Sequence, residues 1–352
     1  MKNIARPRVP PDVEAKTLRV GIAGLGRLGK RHAEQLARRT PGARLAAACS
    51  PVAAELAWAR EALGVATLHD DFDAFVRDPA LDAVVLVTPT DLHAQQTIAA
   101  LEAGKHVFVE KPLSLDLASC EQVEAVARRH PDRVAMVGFV RRFDPSYMQA
   151  KADVDAGVIG RPFLVRSQTC DRNDPDGFFV RFAPSSGGIF MDCSVHDIDL
   201  ARWLLGDPKA ARVFASGTIA LHPGLADCGD VDNGLAIIEF EGGARAMLYA
   251  SRTMAHGHET TTEVIGTSGM LSVGVGAPRD RLVTRDATGV NHRVLADFFE
   301  RFGDAFQREM AAFVGACLGA PTPLSLHDAT EATRIGLAIT RSLKSGLPEP
   351  VF

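Results

Sequence analysis

Asp192 and His196 stand four residues apart in Ile189-Phe190-Met191-Asp192-Cys193-Ser194-Val195-His196, a spacing that puts both side chains on one face of a helix. A carboxylate beside an imidazole raises its proton affinity and fixes its orientation, as a general base requires. The same spacing also suits an aspartate capping its own helix start beside a half-buried histidine. Lys111 directly precedes a proline in Glu110-Lys111-Pro112, so it is held in an extended or turn geometry. From there its ammonium could reach into a cleft, or lie on the solvated surface as most lysines do. Thr88-Pro89-Thr90 with His93 is a further polar cluster. His256 and His258 would share a face on a strand and could hold a metal. With no third ligand nearby, the expectation is no metal site and a pair of cleft or loop histidines.

The elements that must position these groups follow from the apolar rhythm. Gly24-Leu25-Gly26-Arg27-Leu28-Gly29 is a G-x-G-x-x-G between a predicted strand, Leu18–Ala23, and a helix predicted over 27–39. The first glycine permits a tight turn, the second lets the backbone approach a pyrophosphate, and the third allows close helix packing. Free amides and the dipole at the helix start then hold phosphates. A strand-to-helix turn without ligand is the lesser alternative. Strands at 45–49, 83–87, 106–109 and 134–138 alternate with helices at 52–63, 92–103 and 117–129, which predicts a doubly wound parallel sheet. Thr88, Pro89, Thr90, His93, Glu110 and Lys111 then fall at the carboxyl ends of the strands at 83–87 and 106–109, where such sheets bind ligands. An acidic residue about 20 positions past the glycines usually bonds the adenosine ribose. Here that strand ends Ala48-Cys49-Ser50-Pro51. Ser50 could bond a ribose hydroxyl or a phosphate, and no Lys or Arg follows until Arg60. NAD is the expected cofactor, with NADP as the alternative.

After about residue 160 the apolar segments become short and closely spaced, at 210–219, 235–240, 244–251 and 261–266. They predict a mostly antiparallel sheet, interrupted by a helix near 192–205 and followed by helices at 296–318 and 329–345. The fold class is therefore α/β: an N-terminal Rossmann sheet plus a C-terminal α/β domain with a large open sheet. The expected division is a mobile arm at 1–17, a dinucleotide domain at 18–138 and a substrate and oligomerisation domain at 139–352. Its last helix should pack back on the first domain.

Composition fits this. The 352 residues carry 39 Lys and Arg against 43 Asp and Glu, with 46% hydrophobic and 23% charged residues. That excludes a disordered chain and a strongly basic nucleic-acid binder. The longest aliphatic runs, such as 83–87, are far short of a bilayer span, and the first 16 residues lack the apolar core of a secretory signal. Six cysteines without a C-x-x-C pair point to reduced thiols in a cytoplasm.

The strand-end glycine motif, T-P-T-x-x-H at 88–93, E-K-P at 110–112 and G-G-I-F-M-D-C-S-V-H-D-I-D at 187–199 together resemble the glucose–fructose oxidoreductase/inositol dehydrogenase/rhizopine-catabolism (Gfo/Idh/MocA) family. The likeness runs from about residue 18 to the C-terminus. Through Gly138-Phe139-Val140-Arg141-Arg142-Phe143-Asp144 it looks closest to the inositol 2-dehydrogenases.

The resemblance implies that Lys111, Asp192 and His196 form the catalytic set, with His196 taking a hydroxyl proton, Asp192 supporting the imidazolium and Lys111 bonding the same oxygen. It also implies a cis bond before Pro112, and substrate contacts from Arg141, Asp171 and Asn173. Where relatives carry Y-G-Y-D, this chain reads His256-Gly257-His258-Glu259, which puts His258 in the pocket wall, and Phe178, Phe179 and Phe182 replace an expected proline-rich loop. His327 could reach a neighbouring subunit, or sit on the surface at a helix start.

The expected activity is NAD(P)-dependent oxidation of a secondary hydroxyl of an inositol or pyranose sugar by a homodimer or homotetramer, with no nucleic-acid or membrane partner. The rivals are an NAD-dependent glycoside hydrolase, recognisable by release of a free sugar without net cofactor turnover, and a non-enzymatic dinucleotide-binding regulator, which has no need of the proton-handling set.

Overall fold

Aliphatic strands without polar alternation must be covered on both faces, and the first half of the chain does this with helices. The computed structural model describes residues 17–287 and 289–352, so nearly all of the expected N-terminal arm lies outside the described residues. The first layer runs β1 (Leu18–Ala23), α1 (Arg27–Arg38), β2 (Ala43–Cys49), α2 (Ala53–Leu63), β3 (Thr67–His69), α3 (Phe72–Val76), β4 (Ala83–Leu86), α4 (Thr90–Glu102), β5 (His106–Glu110), α5 (Leu117–Arg129) and β6 (Ala135–Gly138). The order is β3-β2-β1-β4-β5-β6, parallel throughout. The strand order reverses between β1 and β4, and a crevice opens there at the carboxyl ends. No element is predicted from sequence between 64 and 82; that stretch forms β3 and α3.

The second half runs α6 (Pro145–Asp155), β7 (Pro162–Arg172), α7 (Phe178–Ser186), α8 (Ile189–Asp192), α9 (Val195–Leu205), β8 (Ala210–Thr218), β9 (Asn233–Phe240), β10 (Arg245–Met254), β11 (Glu259–Gly266), β12 (Gly269–Val273), β13 (Pro278–Asp286), β14 (Gly289–Val294), α10 (Phe298–Cys317), α11 (Leu326–Ser345) and β15 (Glu349–Pro350). Seven of these strands form a sheet in the order β12-β11-β7-β10-β9-β8-β15. It is mixed: β7 lies parallel to β10 and antiparallel to β11, while the other pairs are antiparallel. The helix expected over 192–205 is interrupted at Cys193–Ser194, dividing α8 from α9. One face of the sheet is covered by helices; α9 packs on β7 and α11 on β8. α10 also packs on α1 and α11 on α5, so the C-terminal helices join the two layers.

α10 carries a group at odds with its surroundings. Glu309 is fully buried, and neither carboxylate oxygen has a hydrogen-bond partner among the described residues. Burial, then the nearby Glu110 carboxylate, pushes its pKa well above the usual range. An acid whose folded value is raised stabilises the fold fully below its unfolded value and loses that contribution as pH rises towards the folded one. Glu309→Gln should therefore melt progressively higher than wild type as pH rises from about 5 to about 8, by on the order of a few degrees. A melting difference that does not change with pH would contradict this.

Candidate active site

The crevice at the carboxyl ends of β1 and β4 continues into a cavity of about 360 Å³ between the two layers. The glycine loop enters it. A Cβ on Gly24, whose φ is +88°, would collide with the Val87 carbonyl, and one on Gly29 would collide with the Gly24 carbonyl. Those two glycines permit the turn and the close helix packing. Gly26 differs: a Cβ there meets nothing within 4 Å, so the backbone lies open at the N-terminus of α1. Gly26 is the N-cap of α1 and no side chain caps the helix. Unbonded first-turn amides beside open space fit the pyrophosphate of a dinucleotide. Arg27 and Leu28 line the same cavity, and the Arg27 guanidinium lies 5.4–5.7 Å from the rings of Phe178, Phe298 and Phe299.

Several residues expected to touch the cofactor are committed to the protein itself. Both ring nitrogens of His93 face main-chain carbonyls, Nδ1 towards Pro112 and Nε2 towards Thr88, each at 2.8 Å. It ties together the two strand-end turns. Thr88 donates its hydroxyl to Gln96 at 2.6 Å. Glu110 binds His32 Nε2 at 2.6 Å and accepts the Lys111 N–H at 3.2 Å, so it anchors the lysine's backbone. The Lys111–Pro112 peptide bond is cis. Pro89 and Thr90 line the cavity. Ser50 does not, because its buried hydroxyl donates to Glu55 Oε2 at 2.5 Å and accepts the Val52 N–H at 3.1 Å.

Lys111, Asp192 and His196 converge at the inner end of the cavity. Lys111 Nζ donates to the Asp192 carbonyl at 2.7 Å and lies 3.4 Å from its Oδ1. Asp192 Oδ2 accepts from Arg252 Nη2 at 3.1 Å, and Arg252 Nη1 donates to Asp230 at 2.9 Å. Burial alone would raise the Asp192 pKa, but Lys111 and Arg252 outweigh it and hold the carboxyl below the ordinary value. Among the described residues no hydrogen bond joins Asp192 to His196. The expected carboxylate–imidazole pair is replaced by a carboxylate held between two cations, because the helix breaks between the two residues.

His196 is instead a lone imidazole. Its Nδ1 is buried without a partner, leaving Nε2 as the nitrogen open to the cavity. Burial, then the positive charges of Lys111 and Arg141, hold its pKa well below the ordinary histidine value. It is neutral at neutral pH and can accept a proton.

Arg141 and Asp171 line the cavity, and so does His258. The Arg141 guanidinium donates to Asp197 at 2.7 Å and to Thr169 at 2.6 Å. His258 Nδ1 lies 3.0 Å from Asp171 Oδ1, and its Nε2 lies 2.7 Å from the Thr260 hydroxyl. Asn173 stands outside, its Oδ1 2.9 Å from His222 Nε2. His256 is exposed beside Glu259, and His327 is exposed at the start of α11. No cluster of three or more potential metal ligands occurs among the described residues. Six phenylalanines also line the cavity, Phe178, Phe179, Phe182, Phe298, Phe302 and Phe306, with the Phe302 ring against Arg141 and His258.

Arg252, which holds Asp192, and Asp230, which shares that guanidinium, carried no signal in the sequence. Arg252 lies 60 residues downstream on β10 and is fully buried, and Asp230 sits in the loop before β9. Neither belongs to a recognisable motif.

The comparisons accord with this geometry. Residues 18–139 match the model of the Gfo/Idh/MocA oxidoreductase family, NAD-binding Rossmann fold, and residues 147–272 match its C-terminal domain. The chain is 39% identical to scyllo-inositol 2-dehydrogenase (NAD(+)) of Bacillus subtilis, over 94% of this chain and 95% of that one. It is 33% identical to myo-inositol 2-dehydrogenase of Thermotoga maritima, over 93% and 96%. The crystal structure of scyllo-inositol dehydrogenase from Lactobacillus casei, with bound NAD(H) and scyllo-inositol, superposes with a TM-score of 0.92 at 40% identity, covering 96% of this chain and 99% of that one. The chain belongs to the Gfo/Idh/MocA family of oxidoreductases, with an NAD-binding Rossmann domain.

Proposed function

We propose that this protein oxidises a secondary ring hydroxyl of scyllo-inositol, and more slowly of myo-inositol, to the ketone with NAD. The observation that carries the proposal is a neutral imidazole and a lysine ammonium meeting at the inner end of the dinucleotide cavity, in a chain similar along its length to NAD-dependent inositol dehydrogenases.

In this reading His196 Nε2 accepts the hydroxyl proton. Lys111 uses two donors on Asp192 and has a third free for the same substrate oxygen, where it stabilises the charge that develops as the proton leaves. Asp192, fixed between Lys111 and Arg252, aims the lysine rather than the histidine. Bound NAD supplies the electrophilic nicotinamide carbon that takes up hydride from the substrate.

An uncharged ring fits the electrostatics. Arg141, Arg142 and Arg252 each face carboxylates, leaving no cluster of free cations for a phosphate among the described residues. The polar wall suits hydroxyls around a ring's equator, while the phenylalanines suit its C–H faces. scyllo-Inositol has all hydroxyls equatorial, so both of its faces are of that kind.

The test is reduction of NAD, and separately NADP, against scyllo- and myo-inositol and both glucose enantiomers, with His196→Ala as control. Turnover on the inositols that vanishes in the control supports the proposal. Turnover only on glucose, or release of sugar from an aryl glycoside without net cofactor change, contradicts it.

We further propose that the protein works as a homo-oligomer. The face of the second sheet away from its helices aligns Phe214, Ile237 and Met247 across β8, β9 and β10, with Leu235 beside them. Each is more than 40% exposed, an apolar patch of a kind rarely left to water. Light scattering should give a dimer or larger; a monomer at micromolar concentration would remove this proposal. The six cysteines are free, and no helix among the described residues is long and apolar enough to cross a membrane; both fit work in a reducing, cytoplasmic compartment.

A further inference from the structure

The adenosine end of the dinucleotide cleft departs from the usual arrangement, in which the second strand presents a carboxylate to the ribose. Here β2 ends at Cys49 and the next residue is Ser50. The Ser50 hydroxyl is not free to meet a nucleotide, since it donates to Glu55 Oε2 at 2.5 Å while accepting the Val52 N–H at 3.1 Å. Glu55 lies in the first turn of α2 and is half-buried. Ser50 therefore holds the Glu55 carboxylate back against the end of β2. The other Glu55 oxygen has no hydrogen-bond partner among the described residues and is not enclosed.

The charges around it share its sign. Asp70 and Asp71 follow β3, which pairs with the end of β2. Burial of the Cys49 thiol, and after it the charges of Asp71 and Asp70, pushes that group up to about 12, which places both aspartates within electrostatic reach of the strand end. The nearby cations are engaged or remote. Lys30 rests on the Trp58 ring at 5.1 Å, Arg38 donates to the Ala62 carbonyl at 2.8 Å, and Arg60 points into solvent further along α2.

We propose that Glu55, presented by Ser50, binds the adenosine ribose hydroxyls and excludes a 2′-phosphate, so that cofactor specificity is set from α2 rather than from the strand end. A carboxylate accepts from a 2′-hydroxyl. Opposite a 2′-phosphate it is a like charge with no free cation beside it among the described residues to offset it. The inference rests on the dinucleotide-binding assignment of the first domain and not on the identity of the polyol.

Calorimetric titration of the intact protein tests it without turnover. The ligands are NAD, NADP and an NAD analogue lacking the 2′-hydroxyl of the adenosine ribose. Wild type should bind NAD at least about 100-fold more tightly than NADP and lose roughly tenfold towards the deoxy analogue, the range of a hydrogen bond to a charged acceptor. Glu55→Gln should weaken NAD by about tenfold, erase most of the penalty for the missing hydroxyl and narrow the NADP gap by a similar factor. Ser50→Ala, which frees the carboxylate to swing away, should change affinities in the same direction and less. A role confined to the β2–α2 turn predicts a lower melting temperature with the deoxy penalty unchanged, and that result overturns the proposal. So does a wild-type protein that binds the deoxy analogue as well as NAD, a result that needs no variant to fold. NAD binding with this pattern but no inositol turnover would leave the specificity assignment standing and sink the proposed reaction instead.

Discussion

Replacing His196 by alanine should lower kcat by about 10²–10⁴-fold, the usual worth of a positioned general base, while leaving NAD affinity within about twofold of wild type. The separation follows from where the residue sits. His196 lies in the first turn of α9 in the second layer and offers Nε2 to the cavity, whereas the glycine loop and the open N-terminus of α1 belong to the first layer. The ring's only aromatic neighbour among the described residues is Phe139, with centroids 6.1 Å apart, so truncation costs modest packing. The pH profile offers a second check. Burial and the Lys111 and Arg141 charges keep His196 unprotonated below the ordinary histidine value of 6.5. The acid limb of kcat/KM, which reports the free enzyme, should therefore fall below pH 6.5 in wild type. A variant retaining more than about a third of wild-type kcat would remove His196 from the chemistry.

Arg252→Met should be the most damaging single change outside the direct substrate contacts. The guanidinium has no solvent exposure and holds two carboxylates, Asp192 at 3.1 Å and Asp230 at 2.9 Å. Asp230 in turn accepts the Ile189 N–H at 2.9 Å, fixing the start of α8. Removing the cation leaves the buried Asp230 without a compensating charge and Asp192 with Lys111 alone, and breaking a buried pair from one side typically costs about 3–5 kcal/mol. Urea unfolding should show a loss of this size. Activity should fall further than stability explains, because Asp192 then has Lys111 as its sole cation and draws the lysine away from the substrate oxygen. Arg252→Lys should recover part of the stability, since it keeps the charge but cannot bridge two carboxylates with a planar fork. Stability within about 1 kcal/mol of wild type in Arg252→Met would contradict the account of the pair.

How much of this was legible in the sequence depends on the kind of signal each element carries. The first sheet was legible because its central strands, such as Ala83–Leu86, are fully buried aliphatic runs, and because the glycine spacing is imposed by backbone collisions at Gly24 and Gly29. β3 is three residues long and α3 five, too short to show a period. β7 escaped for a different reason. Its inward positions include Ser167 and Thr169, buried through hydrogen bonds to Asp197, so its alternation does not read as apolar against polar. The parallel pairing of β7 with β10 has no local signature at all.

The site divides along the same line. Lys111, Asp192 and His196 stand out by type and motif, and the structure brings them together. The partners that decide their behaviour do not stand out. Arg252 reaches Asp192 across 60 residues, and the break at Cys193–Ser194 turns an expected carboxylate–histidine pair into a lysine–carboxylate–arginine row. Ser50 was legible as the occupant of the ribose-recognition position, but its bond to Glu55 appears only when α2 is placed. Asn173 shows the reverse, a pocket residue expected from sequence position that stands outside the cavity lining with its Oδ1 facing His222.

The most direct test of the central claim follows the hydrogen itself. Wild-type protein would be incubated with NAD and scyllo-inositol deuterated at every ring carbon, and the reduced cofactor and ring product analysed by mass spectrometry. The account predicts one deuterium per reduced cofactor, one ring ketone formed for each, and both products formed at least about 100-fold more slowly with His196→Ala. Reduced cofactor without deuterium, or bound NAD and scyllo-inositol that never exchange hydrogen, would contradict it.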